Sequence, residues 1–224
     1  MRRFTLALVL ALALTGPAAH ADSSVSGTLW LSARDRAHAA ESGGRREQPG
    51  VGEGVVWVET IPEKLEQRLA TPIRSWFRPW RTVEEPPLPA VAQVQDTYAP
   101  RVLVVPVGGR VEFANTDRLY HSTFSVSGAR RFDLGKTPPG RRDTLDFPRA
   151  GVVNLHCEIH PKAVGYLVVT PNRAYATPDA HGHFRLPKLP AGRYVLHAWH
   201  PGKGELRLPF TVPKRGAVRL DPTF

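Results

Sequence analysis

Cysteine is nearly absent from this chain. Cys157 is the only one in 224 residues, so no intrachain disulfide can form. A lone thiol is a hazard in an oxidising compartment, and a bound metal would explain its presence. Methionine is as scarce: Met1 is the only one, so a chain processed near its start contains none, and no thioether can serve a metal. Long apolar runs are missing too. The longest, Phe4 to Leu14, falls well short of the ~20 residues a membrane-spanning helix needs. It follows a basic head, Met1-Arg-Arg3, and precedes Ala19-His20-Ala21, a small-x-small cleavage site. Residues 1–21 therefore read as a secretory signal, with a soluble mature chain from about Asp22. No cysteine follows the apolar run, so a lipid anchor is not indicated.

Acidic residues are in deficit, 20 against 30 basic ones, for a net charge of +10. Removal of Arg2 and Arg3 with the signal leaves +8. This balance suits an acidic redox protein or an anionic membrane surface as partner, or simply maintains solubility. Nucleic acid is not expected, because the chain is exported and its arginines lie among prolines with no recognition helix.

What is abundant is turn chemistry: 22 prolines and 19 glycines separate short runs rich in Val, Leu, Tyr and Phe. That texture predicts an all-β protein. Strands are expected at 24–33, 54–59, 92–96, 102–107, 110–114, 143–147, 151–156, 166–170, 182–186, 192–198 and 206–212. Helical spacing occurs only in 63–81, where Leu65, Leu69, Ile73, Trp76, Phe77 and Trp80 recur with Arg74, Arg78 and Arg81 between them. Pro72 and Pro79 must break it into short turns. Trp76, Phe77 and Trp80 are read as core packing, with contact to a partner or membrane surface as the alternative. The chain divides into an N-terminal β piece at 22–61, an aromatic and proline-rich connector at 62–90, a central block at 91–170 and a C-terminal β piece at 171–224.

The central block carries the chemistry. His121 is expected in the loop after strand 110–114, and strand 151–156 delivers Cys157-Glu-Ile-His160-Pro161 at its end. One thiolate and two imidazoles are the donor set of a mononuclear copper held in a trigonal plane. No nucleophile with a positioned base is recognisable, so no enzyme activity is expected. Asn115 and Ser122 are candidates to brace this site. His156 should point to the opposite strand face from Cys157. His181 with His183, and His197 with His200, would form an auxiliary site only if they converge.

Gly108-Gly-Arg-Val-Glu-Phe113-Ala-Asn115-Thr-Asp117, His121 and Cys157-Glu-Ile-His160-Pro161 together resemble a cupredoxin of the plastocyanin and amicyanin type over roughly 93–170. Ser122-Thr-Phe-Ser125, Phe132-Asp-Leu-Gly135 and Trp199-His200 extend the resemblance to periplasmic methylamine-utilisation-type proteins. In those, a Greek-key cupredoxin sandwich is joined to a smaller β-sandwich like the carboxypeptidase regulatory domain. The resemblance implies that this second module is assembled from both ends of the chain, and that one blue copper ion is held by His121, Cys157 and His160. It also implies electron transfer with a periplasmic redox partner. One departure stands out. The amicyanin-like loop reads Cys-x-x-His-Pro-x-Met, and its last position here is Ala163, which leaves the axial thioether position vacant. Electron transfer is the leading expectation; copper storage or delivery, and a metal-free β-sandwich binding protein, are the alternatives.

Overall fold

The computed structural model describes residues 23–32, 51–71 and 87–224. The expected signal at 1–21 and the stripe of Trp76, Phe77 and Trp80 lie outside the described residues. Among the described residues, sixteen strands run in chain order as β1 Ser24–Thr28, β2 Val55–Val58, β3 Ala90–Val94, β4 Thr97–Ala99, β5 Val102–Pro106, β6 Gly109–Asn115, β7 His121–Ser125 and β8 Phe132–Thr137. They continue as β9 Arg142–Phe147, β10 Gly151–Cys157, β11 Val164–Thr170, β12 Tyr175–Ala176, β13 His183–Arg185, β14 Gly192–His200, β15 Gly204–Val212 and β16 Ala217–Leu220. Among the described residues one α-helix, α1 (Glu63–Ala70), interrupts them. The protein is an all-β sandwich fold.

Four sheets form, ordered β13-β1-β16, β12-β2-β14-β15, β5-β11-β10-β7-β8 and β4-β3-β6-β9. Three apolar seams join them in that sequence. Val25, Leu29, Val56, Val58, Leu196, Ala198 and Phe210 fill the first. Val55, Trp57, Val168 and Trp199, flanked by Val102, Val104 and Tyr166, fill the second. Val91, Tyr98, Val111, Phe113, Phe147, Val153, Leu155, Cys157 and Leu167 fill the third.

Alternation along a strand explains how one sheet serves two seams, since successive side chains face opposite ways. In β2, Val56 and Val58 enter the first seam while Val55 and Trp57 enter the second, and all four are buried. In β11, Leu167 and Val169 face the third seam and Val168 the second. Strands buried on both faces become continuous apolar runs, and β2 (Val-Val-Trp-Val) is one.

The ends of the chain share sheets. β1 pairs with β13 and, in parallel, with β16; β2 pairs with β12 and β14. β1 and β16 pack so closely that a Cβ at Gly27 would meet Leu220 O at 1.6 Å. Helix α1 buries Leu65 in the first seam, and Glu66 holds it there by accepting from Arg173 N and Nη1 at 2.9 and 2.6 Å. It ends at Thr71, in the short form that Pro72 requires.

Candidate metal centre

The centre lies at one end of the third seam. Residue Cys157 ends β10, directly opposite Thr123 of β7. His121 opens β7 and is fully buried. It was expected in a loop, and the structure makes it a strand residue. The turn after β10 then returns His160, closed by Ala163 N–H donating to His160 O at 2.9 Å, while Glu158 N–H ties the turn to Ser122 O at 3.3 Å. A register shift in the β7–β8 pairing between Ser122 and Phe124 is of the kind that re-aims side chains beside functional sites.

This folding brings His121, Cys157 and His160 together, one donor atom from each lying within 4.8 Å of the others. The Cys157 Sγ is 3.9 Å from His121 Nδ1 and 3.7 Å from His160 Nδ1. With metal–sulfur and metal–nitrogen bonds of about 2.3 and 2.05 Å, a shared ion separates S from N by about 3.6 Å at a tetrahedral angle and about 3.8 Å at a trigonal one. The donor atoms thus fit a single small ion. Soft thiolate with two imidazoles is a donor set that selects copper or zinc over hard oxygen-seeking cations.

His121 and Cys157 are each held by a neighbouring group. His121 Nε2 lies 3.0 Å from Asp117 Oδ2, and donation from Nε2–H to this carboxylate leaves the Nδ1 lone pair facing Cys157. That hydrogen bond is the main reason the Asp117 carboxyl titrates below its usual value. Asn115 braces the same loop: Nδ2 donates to Leu119 O and Thr137 O, both at 2.8 Å, and Oδ1 accepts from Asp117 N at 3.0 Å. Ser122 acts through its backbone, with N–H donating to Cys157 Sγ at 3.4 Å. Beneath the site, Tyr98 OH donates to Thr123 Oγ1 at 3.3 Å, and Thr123 in turn donates to Gln93 Oε1 at 3.0 Å. Burial, above all, pushes the Tyr98 phenol well above its ordinary pKa. Tyr98 reaches this place because β11 has Gly165 opposite it, where a Cβ would come within 2.9 Å of the ring.

Sequence reasoning did not assign Asp117, Tyr98 or Thr123. Asp117 carried a signal, an acid four residues before a histidine ligand candidate. Ala163 is 1% exposed and belongs to the core cluster that contains Cys157. The exposed apolar residues near the site are instead Leu119, Tyr120 and Ile159, each adjacent in sequence to a histidine of the site or to the next residue along. His156 stays outside the donor set, its ring 5.6 Å from Phe124. No second group of three His, Cys, Asp or Glu donors converges among the described residues, so His181, His183, His197 and His200 do not build the auxiliary site.

No protein-family model matches the chain, and no curated protein sequence matches it. Solved structures do. A copper-containing nitrite reductase from Thermus scotoductus SA-01 is 29% identical over 45% of this chain, at a TM-score of 0.39, and the match spans 25% of the reductase. A purple cupredoxin from Nitrosopumilus maritimus is 24% identical, covering 37% of this chain and 99% of its own, at 0.33. A reduced amicyanin variant is 27% identical, covering 37% and 81%, at 0.34. These neighbours are cupredoxins or copper proteins, but likenesses this partial assign no residue a role. The case for a metal rests on the donor atoms.

Proposed function

We propose that this chain is an exported, periplasmic copper protein that passes single electrons through one mononuclear copper and performs no substrate chemistry. The observation that carries this reading is the buried thiol of Cys157 with two imidazole Nδ1 atoms at 3.9 and 3.7 Å, their rings adjacent with centroids 4.6 Å apart. Bound there, copper would supply a one-electron Cu(II)/Cu(I) couple. The protein's own residues do the rest. Asp117 fixes the tautomer of His121, and the Ser122 N–H bears on the thiolate sulfur. The buried wall of Phe113, Phe147, Leu155 and Tyr98 around the third seam keeps the donors rigid. His160 is the partly exposed donor, so its edge is the natural exit for an electron. Leu119, Tyr120 and Ile159 offer an apolar rim on which a redox partner could sit, and the basic surface favours an acidic one. With Met1 removed in the expected signal, Cys157 is the one sulfur left in the chain, so no thioether would be available to copper held by these residues, which would favour Cu(I) and a high potential.

Adding Cu(II) to the purified metal-free protein should give an intense visible thiolate-to-copper band that saturates at one ion per chain. The band should bleach on reduction and return on oxidation. Saturation without a visible band would instead fit copper storage or delivery, and no binding would leave a β-sandwich scaffold.

A further inference from the structure

The outermost sheet, β13-β1-β16, turns one face into the first seam and the other outward. Pairing sets a row of side chains across that outer face. Arg185 stands opposite Ser26 in the β1–β13 pair, and Ser26 lies beside Arg219 in the β1–β16 pair. Thr28 and His183 form the next row. Here the surface forms an open trough of about 590 Å³, floored by Ser26, Gly27 and Thr28 and walled in part by His183, Arg185 and Arg219. That volume is in the range of small-molecule sites.

The polar groups of the trough are mostly donors, and several are uncommitted. Arg219 is fixed by Nε donating to Asp221 Oδ2 at 2.9 Å and Nη2 to Thr28 Oγ1 at 3.3 Å, which leaves its other N–H groups available. Arg185 and the Ser26 hydroxyl have no partner among the described residues. The one carboxylate in the lining, Asp179, is already engaged: Oδ1 accepts from the backbone N–H of His181 and His183 at 2.8 and 2.9 Å, and Oδ2 faces His183 Nδ1 at 3.3 Å. Arg185 and Arg219 sit two strands apart, about 10 Å at Cα, so both planar forks can reach a group held over Ser26. Guanidinium forks match the geometry of carboxylate and phosphate oxygens.

We propose that this trough binds a small ligand bearing an oxyanion, phosphate or carboxylate, through Arg185, Arg219 and the Ser26 hydroxyl. The site belongs to the sandwich remote from Cys157 and is independent of the metal reading.

The test is a titration of the ¹⁵N-labelled full chain, at constant ionic strength, with inorganic phosphate, with glucuronate, and with glucose as neutral control. Saturable shifts centred on the amides of Ser26, Arg185 and Arg219 with phosphate or glucuronate, and none with glucose, are expected. Which anion saturates identifies the oxyanion. Arg185→Ala should weaken binding at least ~tenfold, the loss expected of one charge-assisted arm. Arg185→Lys should weaken it less, and Arg142→Ala on the far sheet should leave it unchanged. Linear, non-saturating shifts with both anions would overturn the proposal. So would equal weakening by Arg185→Ala and Arg142→Ala, which would signify general charge attraction. An unchanged spectrum of Arg185→Ala in the absence of ligand checks that the variant folds.

Discussion

Two buried histidines in this molecule meet opposite fates. His121 directs Nε2 to Asp117 and keeps Nδ1 toward a thiol. His197, 8% exposed and stacked on Trp57, has Nδ1 in a short contact with Glu205 Oε1, and its Nε2 lies 3.6 Å from Glu59 Oε1, beyond hydrogen-bond reach. Both rings touch carboxylates, and neither is idle packing. The difference is which nitrogen the carboxylate occupies and what faces the other one. A hydrogen bond from behind leaves the second nitrogen of His121 free toward another donor, the arrangement a metal-ligating imidazole needs. In the other sandwich no thiol exists for it to meet.

The comparison breaks most sharply at the sulfur. Cys157→Ser should abolish the visible band and remove most copper affinity, whereas His197→Ala should leave copper stoichiometry untouched; spectra of both variants titrated with Cu(II) decide this. Next in size is the seam between the sandwiches. Trp199, 7% exposed with its ring 5.3 Å from that of Tyr166 across the seam, should cost ~3 to 5 kcal/mol when changed to Ala. A denaturant melt of Trp199→Ala that overlays the parent would show that the two sandwiches do not depend on each other there.

Asp117→Ala should lower copper affinity ~10 to 100-fold while the fold persists, the effect expected of removing an outer partner of a ligating imidazole. Competition with a chelator of known affinity measures it. Ala163→Met places a thioether where the resembling loops have one. It should lower the reduction potential by favouring Cu(II), and an unchanged or raised value by voltammetry would show that residue 163 does not face the metal. The smallest effect belongs to Asp221, whose carboxyl is held below its usual pKa chiefly by the Arg219 hydrogen bond. A depressed carboxylate contributes stability that is present above the unfolded pKa of about 3.9 and lost as pH falls through the lower folded value. Asp221→Asn should therefore melt slightly lower than the parent at neutral pH and converge with it in acid.

Much of the architecture was legible because apolar alternation marks it. Val111 with Phe113 and Val153 with Leu155 each set a strand's inner face at a spacing of two. Strand β7 was not legible, and it carries His121. Its buried residues are His121, Ser122, Thr123 and Ser125, a polar run that hydropathy reads as a loop, and its burial is made tolerable by hydrogen bonds to groups distant in sequence, such as Tyr98 and Gln93. β8 was hidden by Gly135 at φ +62° and by Lys136 within it, and β12 has only two residues. The three donors were visible as residue types and spacing. Asp117 was not assigned, because its worth depends on a ring orientation that spacing alone does not state.

The sharing of sheets by the two ends of the chain has a consequence in time. Thr28 N–H donates to Asp221 Oδ1 across 193 positions, and among the described residues β1 has its ladder partners only in β13 and β16. A ribosome making this protein releases β1 long before either neighbour exists, while every strand of the sandwich that holds His121, Cys157 and His160, β3 to β11, is contiguous between them. The central sandwich can close as soon as residue 170 emerges, and it then holds the early and late strands near each other. Pairings this distant in sequence form slowly, so we expect the donor cluster to be in place before the outer sandwich is complete.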